Sequence, residues 1–173
     1  MENTPVILPA LYIIFTLLNA LRRGIPRQNI WREFRRQKVV LKPRLSFWLA
    51  VCKQAGLIDD YTRSSPADEN RLRVKSYASQ WLNKPSDEQT IHLIEAWQNA
   101  PQNSKARQFR KKLLWKLEFD QPLTQKDRTV INGLQALGLL DGEKLTHAAP
   151  SALFGWIEWK LPVKIVVIFS FPL

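Results

Sequence analysis

The sequence predicts a mostly α-helical chain with small β wings, arranged as a tandem winged helix-turn-helix, and three observations predict it. The stretch Thr124–Phe154 reads as helix, strand, tight turn and return strand. An earlier, degraded copy of that stretch lies at Leu45–Leu82. In 86–100 and 105–119 apolar residues recur at three-to-four spacing, Ile91, Ile94 and Trp97 in the first and Phe109, Leu113 and Leu117 in the second, the period of a helix buried on one face.

Thr124 is followed three residues later by Asp127, a helix-start pair in which hydroxyl and carboxylate satisfy backbone N–H groups of the first turn. The spacing of Val130, Ile131, Leu134 and Leu137 predicts one recognition helix over 124–137, stopped by Gly138. Lys126, Arg128, Thr129, Asn132 and Gln135 fall on its other surface. Leu139 and Leu140 lead into the Asp141-Gly142 turn, and Lys144, Leu145 and Thr146 begin the return strand.

In the earlier copy, Ala55-Gly56-Leu57-Ile58-Asp59 aligns with Leu137-Gly138-Leu139-Leu140-Asp141 at an offset of 82. Leu72 to Leu82 aligns with Glu143 to Leu153 at an offset of 71, so the first wing is longer by 11 residues. This gives a first module at 1–85, a connecting helix and linker at 86–104, a second module at 105–155 and a β tail at 156–173.

The first module opens with the apolar run Val6–Leu21. It lacks the positive leader of a signal peptide, falls short of the ~20 residues that span a bilayer, and contains Pro9. It therefore predicts a buried helix from about Pro9 to Gly24, and membrane attachment is disfavoured. A short helix holding Ile30, Trp31 and Phe34 follows Pro26, and a second, very apolar one runs from about Pro43 to Ala55. Ser86 and Gln89 have capping-box spacing and begin a helix ending near Ala100; Pro101–Ser104 is linker-like. Lys105–Phe119 is a helix with a Phe109, Leu113 and Leu117 seam, its Phe109 and Trp115 suited to packing more than to base stacking. Val163–Phe169 is a β-branched strand between prolines, a terminal edge able to pair with a second copy or another protein.

Charge points to a polyanion. The formal net charge is +11. Between Arg22 and Lys53 ten basic residues face one acid, Glu33, and seven of the ten are Arg, whose planar fork suits phosphate. Arg27, Arg32, Arg35, Arg36, Lys38, Lys42 and Arg44 are the candidate phosphate contacts. Lys126, Arg128, Thr129, Asn132 and Gln135 are the second group, with Arg128, Asn132 and Gln135 of the types that pair base edges. The single Cys52 excludes an intramolecular disulfide, and two distant histidines give no metal-site spacing. A cytoplasmic protein is the natural reading. No nucleophile elbow, acid–base constellation or phosphate-binding Gly-rich loop is present, so neither an enzyme nor a cofactor is expected.

Arg71-Leu72-Arg73-Val74, followed by Trp81-Leu82-Asn83-Lys84-Pro85-Ser86-Asp87-Glu88-Gln89 and Glu95-Ala96-Trp97, resembles a run in helicase-associated tandem winged-helix regions, as in bacterial relatives of the XPB repair helicases. There a wing strand leads into a Trp-Leu pair, a Pro, a Glu-Gln pair and a helix ending in Ala-Trp. The resemblance spans roughly Leu45–Gly155 and implies a regulatory or accessory role in DNA transactions. Lys75 and Ala78 depart from it, standing where that wing has Thr and Gly.

The expected function is therefore duplex DNA binding, through phosphates at the first basic face and base edges at the second helix. The alternative is a winged-helix protein–protein scaffold using Trp31, Trp48 and the terminal strand, or a homodimer formed through that strand.

Overall fold

The computed structural model describes residues 9–36, 44–60 and 72–146. The tip of the first wing, Lys38, Lys42, His147 and the tail strand lie outside the described residues. The apolar run forms α1 (Pro9–Arg22), with Ala10, Ile13, Ile14, Leu17, Leu18 and Leu21 buried. Each fully buried Leu or Ile is worth about 1.5–3 kcal/mol relative to exposure, so this helix is a major anchor of the core. Among the described residues no helix is long and apolar enough to cross a membrane.

A 3₁₀ turn at Arg27–Asn29 leads into α2 (Ile30–Arg36), followed by α3 (Leu45–Gln54). Strand β1 (Ile58–Asp60) pairs antiparallel with β2 (Leu72–Val74), Ile58 opposite Val74. Then come α4 (Tyr77–Leu82), where sequence spacing gives no helix signal, α5 (Ser86–Asn99) and α6 (Ser104–Glu118). The last elements are α7 (Gln125–Arg128), α8 (Ile131–Ala136) and the hairpin of β3 (Leu140–Asp141) with β4 (Lys144–Leu145), Leu140 opposite Leu145. Among the described residues the chain is mostly helical with two small antiparallel hairpins, as expected, the first following α1–α3 and the second following α4–α8.

The two helix-to-hairpin junctions share their hydrogen bonds. Leu57 N–H donates to Cys52 O at 2.9 Å and Leu139 N–H to Leu134 O at 3.0 Å. Gly56 N–H donates to Lys53 O at 3.0 Å and Gly138 N–H to Gln135 O at 2.9 Å. On the return strands Lys75 N–H reaches Leu57 O at 2.9 Å and Thr146 N–H reaches Leu139 O at 3.0 Å. These are the positions that offsets of 82 and 71 superimpose. Gly56 and Gly138 hold φ of +69° and +80°, the left-handed conformation that closes a helix end and turns the chain into the strand.

One continuous buried cluster runs from α1 through α3, α5 and α6 to α8. Helix α5, which the sequence marks as a connector, packs against α1, α3 and α6 and buries Leu93, Ile94, Ala96 and Trp97. Gly133 of α8 meets Trp97 so closely that a Cβ there would lie 2.9 Å from Cδ1 and closer still to Nε1. Arg110 of α6 stacks on the same indole at 4.7 Å and donates to the Trp97 carbonyl.

Three expectations are corrected. The helix over 124–137 is broken into α7 and α8, because Thr129 and Val130 make only three-residue backbone bonds, to Lys126 O and Asp127 O. The Thr129 hydroxyl takes the Lys126 carbonyl at 2.7 Å as well. Ser86 and Gln89 form no capping box: Pro85 holds the cap position without a side-chain bond. The Gln89 amide instead donates to Trp81 O and Leu82 O, at 3.0 and 3.2 Å, satisfying the last carbonyls of α4. Trp48 is fully buried and cannot serve as an interface.

Candidate nucleic-acid interface

Of the first group of cations, Arg27 lies on the 3₁₀ turn, Arg44 holds the N-cap position of α3, and Arg32, Arg35 and Arg36 belong to α2. The inner face of α2 carries Ile30, Phe34 and Glu33, and the Glu33 carboxylate is 9% exposed. Burying a carboxylate requires cations, and Arg23 from the end of α1 and Arg36 from the last turn of α2 supply them, Arg36 at 2.6 Å. On the outer face Trp31 is 42% exposed, with the guanidinium of Arg35 at 4.8 Å and that of Arg32 at 5.4 Å from its ring centre. Arg27, Arg32, Arg35, Arg36 and Arg44 are all exposed. The tryptophan platform was not anticipated, although Arg at one and four residues beyond an exposed Trp is a readable signal.

The second group is built on α7 and α8. Thr124 and Asp127 form the expected capping box, the Thr124 N–H donating to the carboxylate at 2.8 Å. Asp127 is also held by Lys116 of α6 at 2.5 Å, locking the start of α7 onto α6. Burial opposes ionisation of this carboxyl, but the bonds from Lys116 and Thr124 outweigh it and hold its pKa below the ordinary value. Lys126, Arg128, Thr129 and Asn132 are exposed and Gln135 is half-buried. Lys126 lies over the Phe109 ring at 4.9 Å.

Arg128 and Gln135 both turn toward the second hairpin. Arg128 Nε donates to Glu143 Oε1 at 2.6 Å, and the carboxylate raises the guanidinium pKa above its ordinary value. Gln135 Nε2 donates to Gly142 O at 2.7 Å. Two of the three side chains assigned to base edges are therefore engaged by the hairpin, while Asn132 projects from the outer face of α8. The sequence reading missed Glu143, which the tight turn at Asp141-Gly142 carries back beside α7. Lys38 and Lys42 lie outside the described residues.

Cys52 is buried in α3 and its thiol pKa is pushed up to about 12, which makes it an inert core residue. Among the described residues no group of three or more His, Cys, Asp or Glu side chains gathers at metal-binding distance.

No protein family, curated protein or solved structure matches the chain.

Proposed function

We propose that this chain is a tandem winged helix-turn-helix protein that binds duplex DNA, in a regulatory or accessory role of the kind its resemblance to helicase-associated regions implies. The observation that supports the reading is the helix-to-hairpin junction built twice with the same hydrogen bonds, after α3 and again after α8. The cations support it. Arg32 and Arg35 lie exposed on Trp31, and Lys126, Arg128 and Asn132 surround the start and outer face of α8. Phosphate contacts from α2 orient the duplex, and Asn132 reads an adenine edge in the major groove. Gln135 and Arg128 join it when the hairpin releases them.

Fluorescence anisotropy of a labelled duplex across salt concentrations tests this. Parent protein should bind with log affinity falling linearly against log salt. Arg32→Ala with Arg35→Ala should weaken every duplex and flatten that slope, whereas Asn132→Ala should weaken only preferred sequences. Binding indifferent to salt, or equal for parent and both variants, overturns the proposal.

A second reading, a protein–protein scaffold, is favoured by Tyr12 and Phe15, one turn apart on α1 and 47% and 52% exposed. A light-scattering mass well above 20.1 kDa together with no duplex binding would select it.

A further inference from the structure

Phe119 is the most exposed large apolar side chain among the described residues, at 57%. Its ring stacks on Trp115, the centroids 5.2 Å apart and the planes within 11° of each other. A stacked pair four residues apart adds about 0.2–0.5 kcal/mol to a helix. That accounts for the contact but not for leaving the outer ring in water, since covering it would gain more.

The chain beyond folds so that the ring stays open. Gln121 N–H donates back to Lys116 O at 2.7 Å, with Asp120 at φ 48°, and Pro122 joins the two rings in lining a depression. The depression beside the pair is lined by Lys112, Trp115, Lys116, Phe119, Gln121 and Pro122, two cations and no acid. Helix α6 carries six basic residues against the single Glu118, and Lys111 and Lys112 are exposed one turn before Trp115.

This depression adjoins a second one. Lys116, Gln121 and Pro122 line both, and the far wall of the second is Glu143, Lys144 and Leu145 of the hairpin beside α8. Glu143 is bound to Arg128, Lys116 to Asp127, and Asp120 faces the second hollow alone of the two. An open aromatic face flanked by lysines, continuous with a proposed duplex-binding hairpin, matches an unpaired base and its phosphates better than an apolar peptide, which has no use for the cations.

We propose that Trp115 and Phe119 form a stacking ledge for unpaired bases, so that the preferred ligand is a duplex carrying a single-stranded extension. Lys112 and Lys111 hold the phosphates of the extension. This rests on the nucleic-acid reading above and names the form of nucleic acid.

The test compares a blunt duplex with the same duplex bearing a short single-stranded extension, at one salt concentration, with a fluorescent purine analogue at the first unpaired position. The parent should bind the extended duplex at least about five-fold more tightly, the low end of one base–aromatic stack, and quench the analogue. Phe119→Leu keeps the apolar side chain, removes the ring, and should lose both the gain and the quenching while holding the blunt duplex as before. Phe119→Trp should restore them. Equal binding of the two ligands by the parent, or a gain retained in Phe119→Leu, overturns the ledge and leaves the duplex reading standing. An extended duplex held through Phe119 while the blunt one is not bound would establish the ledge and overturn the duplex reading.

Discussion

Arg128 and Glu143 face each other between α7 and the second hairpin, Nε to Oε1 at 2.6 Å, so the cation proposed to meet DNA is held by the protein's own carboxylate. Replacing Glu143 by Gln releases it. The pair is half-exposed on both sides and adds little to stability, so the melting temperature should barely move. Duplex affinity should rise a few-fold, and chiefly for preferred sequences, as a released base-edge contact requires. Arg128→Ala should change sequence preference. A Glu143→Gln protein with parental affinity for every sequence would show that Arg128 makes no DNA contact.

Gly133 has no room for a side chain. A Cβ would enter the Trp97 indole, which is packed from behind by the core and stacked by Arg110. Overpacking of this kind costs about 1–3 kcal/mol, so Gly133→Ala should lower the urea midpoint clearly despite its better helix propensity. Asn132→Ala, one residue away and exposed, should leave it nearly unchanged.

Asp127 makes stability depend on acid. Its folded-state pKa lies below the ordinary value of 3.8, so its contribution is fully present above that value and is lost as pH falls through the folded pKa. Unfolding followed from neutral pH into the acid range should therefore show a steeper loss for the parent than for Asp127→Asn. At neutral pH the Asn variant should be less stable by about 1.5 kcal/mol, the low end for losing hydrogen bonds to a charged group, since Lys116 is 20% exposed and can turn to water. Equal acid profiles would remove Asp127 from the account.

Asp120 is the one non-glycine residue with positive φ among the described residues, at 48°. It ends α6 where Gly56 and Gly138 end α3 and α8. Asp120→Gly should raise stability by about 0.5–1 kcal/mol by relieving the left-handed conformation, read as a higher melting temperature.

Much of this was legible in the chain because the informative residues act locally. Thr124 and Asp127 cap a helix from three residues apart, and the glycines at 56 and 138 must terminate helices wherever those helices pack, so the repeat and both hairpins could be placed. The break at Thr129 and Val130 could not, since apolar spacing continues through it and the competing Thr129 hydroxyl bond is a choice made only in the folded chain. Gln89 shows the same limit: its spacing from Ser86 is that of a capping box, but the open carbonyls of α4 are a nearer need. At the site, residue types identified Arg128 and Gln135 as able to read bases, yet nothing in their neighbourhood along the chain announced Glu143 and the Gly142 carbonyl, brought up by the hairpin 15 and 7 residues further on respectively. Trp48 looked like an interface residue because tryptophan suits interfaces and cores alike, and only packing distinguishes them.

The turn at 101–103 is a seam in the sequence without being one in the body. Trp97 precedes it, while Arg110 and Gly133, which close over its indole, follow it. A chain cut at this turn would leave the largest ring of α5 open on one flank, so the earlier half alone should melt at a lower temperature than the whole.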